Sequence, residues 1–511
     1  MPPDILLIIL DTLRRDRLSV YGHDRLTSPG FDAFAERATL FERAVAPSQW
    51  TIPAHSSLFT GLYPSAHGVV EANGRLSDSH PTLAEILQVG GYRTVAFCNN
   101  PLVGALDNGL QRGFDEFYNY ASAIPNRPGD TRKSGARRRF RRWFRPYARR
   151  MGNQFARSDT LFRVSLHPLL TPIWSKYINF KGNTAHSIDD LIDYWDAFHA
   201  GAASQPIFAF VNLMGAHLPY HPPQDVLDRI APELRGDREA FRYMNRFNAD
   251  GAAWASPPEQ PLSEWQRTVL NGFYNAEITC QDKYLNRLLN HLLTIRAQKN
   301  ICILIAADHG EGHGEHDLFG HGFNVYQELV HVPLAIHAPG YPEGGRAPHN
   351  VSTRRLFHTI LDMAGIQPPL DESDPNADVR RLSLINAVNG APDSEGGLAF
   401  SEAFPPSTFL NVLEHRSPAV IERLRLWQVR RAVYDGDHKL VAAENAVEGL
   451  FDLARDPAET RDVAADQPGA AAALAGKISA FVAAMGQPSD GRTAEVDAKV
   501  VEQLRALGYV E

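Results

Sequence analysis

Four short apolar runs each stop at a polar residue of a type that does chemistry, and this feature constrains the fold more than any other. "ILLIIL" ends at Asp11, "YRTVAFC" at Asn99, "PIFAFVNLM" near His217 and "ICILIAA" at Asp308. Runs this short, bounded by polar residues or glycine, belong to strands buried on both faces. Helix-like stretches lie between them at 28–38, 82–91 and 272–295. The alternation predicts an α/β fold with a mainly parallel central sheet flanked by helices. Ligands of such sheets gather beyond the carboxyl ends of the strands, where Asp11, His217 and Asp308 stand.

Past residue 345 the pattern changes. "STRRLFHTILDMAGIQPP" reads as one helix stopped by Gly365 and two prolines, and 426–453 reads as short strands with turns at "DGD" and Gly449. The expected organisation is a main domain over 1–345 and a smaller α+β subdomain over 346–511, with 121–200 as an insertion. A net charge of −8 on 511 residues gives no general affinity for nucleic acid, and none is expected as a partner. Residues 132–150 nevertheless hold ten Lys or Arg and no acid, which leaves about −18 on the remainder. There Arg137, Arg138, Arg139, Arg141, Arg142 and Arg145 interleave with Phe140, Trp143 and Phe144, a mixture suited to an anionic membrane surface, a polyanionic substrate or a solvated lid. Cys98, Cys280 and Cys302 sit in apolar surroundings with no short-range pairing, which fits a reducing compartment. The N-terminal run Ile5 to Leu10 is too short for a signal core or a membrane span, so a cytoplasmic location without a signal peptide or transmembrane segment is expected.

Asp11 alone reads equally as a helix cap or a ligand. The segment after Asp308 is more specific: His309, His313, His316 and His321 stand with Glu311, Glu315 and Asp317 among glycines. Asp, Asp and His suit a divalent cation, carboxylates favouring Mg, Mn or Ca and imidazole favouring Zn. A hydroxyl bound to such a cation loses its proton far more easily. In "SQWTIPAHSSLFTGLYPSAHGVV", residues 48–70, Thr51 is either that nucleophile or the cap of a helix.

The stretch "ILLIILDTLRRDRLSVYGH...TSPGFDAFAERATLFERAVAPSQWTIPAHSSLFTGLYPSAHGV" resembles the N-terminal part of the sulfatase family, within the alkaline phosphatase superfamily. "FAFVNLMGAHLPYHPP", "LIAADHGEGHGEHDLFGHGFNVYQELVHVPLAIHAPG", "RAVYDGDHKLVAAENAVEGLFDLARDPAET" and "VEQLRALGYVE" extend the resemblance over nearly the whole chain, apart from the insertion. It implies an alkaline phosphatase-like fold, a metal held by Asp11, Thr51, Asp308 and His309, and contact of His217 with the anionic group of a substrate. Sulfatases of the usual kind carry Cys or Ser in Cys/Ser-x-Pro-x-Arg and oxidise it to formylglycine, whereas this chain has Thr51-Ile52-Pro53-Ala54-His55. Thr cannot become that aldehyde, so a Thr ester must be cleaved by water in a second displacement. The expected activity is therefore hydrolysis of a sulfate or phosphate ester through a Thr nucleophile. The alternatives are a phosphodiesterase or phosphonate monoester hydrolase, or a degenerate binder of sulfated or phosphorylated glycans or lipids.

The family's Gly-Lys-Trp-His motif is absent; "CNNPL" places Asn99 or Asn100 there as substrate contacts. His321 stands at a later Lys position and is expected to protonate the leaving group. His55 is expected to hold Thr51 or its ester, or to pack at the helix start, and His67 to order its loop. One metal site is expected, with a second open to His313, His316 or His321; a single cation suits a monoanionic ester of a small molecule, glycan or lipid.

Overall fold

The computed structural model describes residues 2–485 except 72–73, 105, 122–124, 129–157, 174–179, 202–204, 255–259, 295–299, 370–376 and 390–392. The basic stretch 132–150 and the closing "VEQLRALGYVE" lie outside the described residues. The first strands are β1 (Asp4–Leu10), β2 (Thr39–Val45), β3 (Arg93–Cys98), β4 (Glu116–Asn119), β5 (Ile207–Leu213) and β6 (Ile301–Ala306). Short pieces β7 (Gly312–His313), β8 (Phe319–Gly320) and β9 (His331–Val332) follow, then β10 (Leu334–His337) and β11 (Arg346–Ser352). The large sheet runs β11-β2-β10-β6-β1-β5-β3-β4, with β9 paired to β2. The four apolar runs are four of its central strands. β5 and β6 are buried at every position and β1 at all but Asp4, which is why their sequences lack the alternation of a half-exposed strand.

Register places the site. β1 pairs parallel with β5 and β6, Ile9 standing opposite both Asn212 and Ala306, and Cys98 at the end of β3 also stands opposite Asn212. The carboxyl ends of four strands therefore finish level, and Asp11, Asn99, Asn100, Asn212 and Asp308 meet there. Only β10 breaks the parallel order in the middle, running antiparallel to β6 and β2.

The smaller sheet is antiparallel, β12 (Leu398–Ala403), β13 (Arg430–Asp435), β14 (His438–Ala443) and β15 (Ala446–Asp452) in that order. β11 lies C-terminal to the expected boundary at 345 yet is the outer strand of the large sheet, parallel to β2. Its polar sequence "RAPHNVS" carries the exposed positions of an edge, so it does not read as a buried strand. The helix Pro468–Met485 is long and apolar enough, with mean hydropathy 1.4, to cross a membrane by length and composition alone. Its apolarity is mostly alanine, and it buries Leu474, Ile478 and Phe481 beside the smaller sheet.

Candidate active site

Thr51 is the first residue of the helix Thr51–Thr60, which starts after extended Trp50 and ends at Gly61 in the left-handed region, φ 73°. A Cβ on Gly61 would lie 2.6 Å from the His358 ring, so only glycine both turns the chain and fits there. Arg354 donates to the Gly61 carbonyl at 2.7 Å, closing the helix at the end remote from Thr51. His67 accepts from the Val69 N–H at Nδ1, so its Nε2–H donates to Ser57 on the same helix at 3.0 Å, and its expected loop-ordering place is where it sits.

The Thr51 hydroxyl is 3.2 Å from His309 Nε2. His309 Nδ1–H donates to the Gly310 carbonyl at 2.8 Å, which leaves Nε2 as a lone pair facing the site. Asp308 Oδ2 is 3.4 Å from that nitrogen. Asp11, Asp308 and His309 are fully buried, and one donor atom of each lies within 4.8 Å of the others. Asp11 Oδ1 and Asp308 Oδ2 have no hydrogen-bond partner. Burial raises the Asp11 carboxyl, and burial together with the Asp11 charge raises Asp308 well above the usual range. Two buried carboxylate oxygens without donors, beside an imidazole lone pair and a hydroxyl, form a donor set that fits a divalent cation. The metal ligands expected from the resemblance, Asp11, Thr51, Asp308 and His309, are therefore brought together.

His217 and His321 face each other with ring centroids 5.3 Å apart, and His321 lies 4.6 Å from His309. His217 Nδ1–H donates to the Leu218 carbonyl at 2.6 Å, leaving Nε2 a lone pair. Burial, with the neighbouring His321, brings the imidazole down to about 4. His321 Nδ1–H points at Glu311 Oε1, 2.9 Å away; burial opposes its charge, but the Glu311 carboxylate raises it. At one side of His217 the Phe180 ring packs edge-on at 5.6 Å, and Lys181 pairs with Glu277 at 3.3 Å while donating to the Pro219 carbonyl at 3.0 Å.

Other expected residues lie elsewhere. Asn100 is fully buried and donates to Asp11 Oδ2 at 2.6 Å, so it orients a carboxylate rather than meeting a substrate. Asn99 is also fully buried, with its amide 3.5 Å from Thr184 Oγ1. His55 lies beneath the cluster, its Nδ1–H donating to the Thr51 carbonyl at 2.9 Å and standing 3.5 Å from Asp308 Oδ2, while Nε2 faces Asn212. It supports Thr51 from below, and both ring nitrogens are occupied. Of the histidines open to a second metal, His313 uses both nitrogens on Asn271 and Tyr220 and His316 uses both on Glu328 and the Glu459 carbonyl, while His321 commits only Nδ1, to Glu311.

Asn212 is the functional residue the sequence reading missed. It donates to Asp11 Oδ2 at 3.2 Å. The signal was available, because it is the one amide in the otherwise apolar, wholly buried strand "IFAFVNL".

The family described as Sulfatase matches over residues 3–366. An arylsulfatase of Clostridium perfringens (strain 13 / Type A) is 23% identical over 470 residues, 90% of this chain and 89% of that one. A choline-sulfatase of Rhizobium meliloti (strain 1021) is 25% identical over 492 residues, 91% and 83% of the two chains. Among solved structures, a phosphonate monoester hydrolase of Agrobacterium radiobacter superposes with TM-score 0.65 at 21% identity, covering 95% of this chain and 96% of that one. A structure solved in complex with its substrate D-glucosamine-2-N,6-O-disulfate superposes with TM-score 0.64 at 16% identity, covering 96% and 100%. The match over residues 3–366 takes in the large sheet and every residue of the buried cluster, and by it this chain belongs to the sulfatase family of the alkaline phosphatase superfamily, hydrolases acting on ester bonds.

Proposed function

We propose that the protein hydrolyses a monoanionic sulfate or phosphoryl ester by attack of Thr51, in a metal-dependent reaction. The observation that carries this reading is the Thr51 hydroxyl at a helix N-terminus, 3.2 Å from His309 Nε2 and beside the two carboxylates whose inner oxygens have no partner. Asp11, Asp308 and His309 would hold a divalent cation, and its charge would make the Thr51 hydroxyl acidic enough to give up its proton to water before attack. The chain's own groups supply the remainder. His55 holds the Thr51 carbonyl, fixing the hydroxyl's direction. His321 keeps Nδ1–H on Glu311, so its Nε2 edge is the one that delivers a proton to the leaving oxygen as the Thr51 Oγ–phosphorus or Oγ–sulfur bond forms. His217 keeps Nδ1–H on Leu218, so its Nε2 lone pair takes the proton of the water that then cleaves the Thr51 ester.

With His313 and His316 committed to other partners, Asp11, Asp308 and His309 are the one cluster of cation ligands among the described residues, which supports a singly charged ester group. A threonine in place of an oxidisable cysteine or serine favours phosphoryl transfer, and hence a phosphate diester or phosphonate monoester over a sulfate ester. Glycan and lipid leaving groups both remain within this reading, and the three free thiols Cys98, Cys280 and Cys302 suit a reducing, cytoplasmic setting.

The test is turnover of a matched aryl series (sulfate monoester, phosphate monoester, phosphate diester and phosphonate monoester) with Mn, Mg, Ca or Zn added. One class is expected to be cleaved, and Thr51→Ala to lower kcat roughly 10³-fold or more. If no ester is turned over with any ion, a non-catalytic binder of anionic glycans or lipids replaces the hydrolase.

A further inference from the structure

Both buried carboxylates have one oxygen already spent. Asp11 Oδ2 accepts from Asn100 at 2.6 Å and from Asn212 at 3.2 Å. Asp308 Oδ1 accepts from the backbone N–H of His309 at 2.9 Å and of Thr12 at 3.3 Å. Each side chain is thereby left with a single free oxygen, Asp11 Oδ1 and Asp308 Oδ2, the two that lack partners. His309 adds one nitrogen, because Gly310 takes the other. Thr12 adds nothing: with φ at 58° it turns away, and its hydroxyl donates to the Asp11 carbonyl at 2.7 Å.

Among the described residues, Asp11, Asp308 and His309 thus offer three single-atom donors, one of them imidazole, with the Thr51 hydroxyl as a fourth. Ca²⁺ takes six to eight oxygens and commonly a bidentate carboxylate, and Mg²⁺ an octahedron of oxygens. Zn²⁺ takes four donors with nitrogen among them, and an imidazole favours the late first-row ions. We infer that the site beside Thr51 is built for Zn²⁺ and discriminates against Ca²⁺ and Mg²⁺. Asn100 and Asn212 set that preference by holding Asp11 to one free oxygen. The inference rests on the reading that a cation sits beside Thr51, and it names which cation.

The test uses the full chain stripped with a chelator and titrated calorimetrically with Zn²⁺, Mn²⁺, Mg²⁺ or Ca²⁺ alone. One equivalent of Zn²⁺ is expected to bind at least about 100-fold more tightly than Ca²⁺ or Mg²⁺. Co²⁺ is expected to give the intense visible bands of a four-coordinate ion. Asn100→Ala and Asn212→Ala are each expected to weaken Zn²⁺ roughly 10- to 100-fold while the metal-free proteins melt as the parent does. Ca²⁺ or Mg²⁺ within tenfold of Zn²⁺, weak six-coordinate cobalt bands, or unchanged Zn²⁺ affinity in both Asn variants would each overturn it. Tight Zn²⁺ binding without turnover of any ester upholds this inference and removes the hydrolase. Turnover supported best by Ca²⁺ does the reverse, and failure of every ion to bind removes both.

Discussion

His217 and His321 are the same residue type 5.3 Å apart, yet their surroundings prepare them for opposite work. A backbone carbonyl takes the Nδ1–H of His217 and a carboxylate takes that of His321, so one ring presents a lone pair and the other is supported as a cation. This assignment makes a prediction at the scale of one side chain. His321→Gln should cost little with an activated leaving group such as 4-nitrophenolate, which departs without a proton. With an alkyl or unsubstituted phenyl leaving group the loss in kcat should reach roughly 10²- to 10⁴-fold. The measurement is kcat against leaving-group pKa for parent and variant; parallel lines would remove His321 from proton transfer.

At the scale of elements, burial explains what the sequence disclosed. β1, β3, β5 and β6 were legible because both faces are covered, and their ends carried Asp11 and Asp308 into view. β11 was not, because an edge strand needs polar residues, and its sequence gives no sign that it joins the large sheet. Nor could composition separate His309 from His313 and His316. Gly314 at φ 93° and His316 at φ 54° turn the chain, and the rings find partners on other elements, His313 on Asn271 and Tyr220, His316 on Glu328 and Glu459. The role of Asn100 is not legible locally, because the carboxylate it donates to stands 89 residues away.

The segment bearing His316 and His321 meets the smaller sheet beside a buried pair, where Arg430 and Tyr434 of β13 also donate to the Phe323 carbonyl and to Gln327 Oε1. Lys439 of β14 lies 2.6 Å from Glu459, both fully buried, and Glu459 also accepts from the Gln327 N–H at 2.7 Å. Lys439→Met would strand that carboxylate, so it should destabilise by about 3–5 kcal/mol, and Lys439→Met with Glu459→Gln should recover most of the loss. Denaturation midpoints of the single and double variants check this; a double variant no better than the single would mean that the charges, once paired, contribute beyond satisfying each other.

For the molecule as a whole, histidines held neutral by their surroundings are expected to limit stability in acid. His67, His313 and His331 lie in different parts of the chain, and burial brings each imidazole down to about 3. Their hydrogen bonds agree, since each ring has one nitrogen accepting and cannot take a second proton without losing that bond. Between about pH 6.5 and 3 the unfolded chain binds protons that the native state refuses, so their stabilising effect is full above the unfolded value and lost as pH falls. Glu315, brought down to about 2 chiefly by Arg14 against its burial, adds to the loss below its unfolded value near 4.5. The raised carboxyls Asp11 and Asp308 act in the opposite sense when no cation is bound. Comparing parent with variant isolates each histidine. At pH 5 a ring with an unfolded value near 6.5 costs up to about 2 kcal/mol. His67→Gln and His331→Gln should each shrink the fall in urea stability between pH 7.5 and pH 5 by up to about that amount. A fall equal to the parent's in both variants would show that these rings are not what limits the protein in acid.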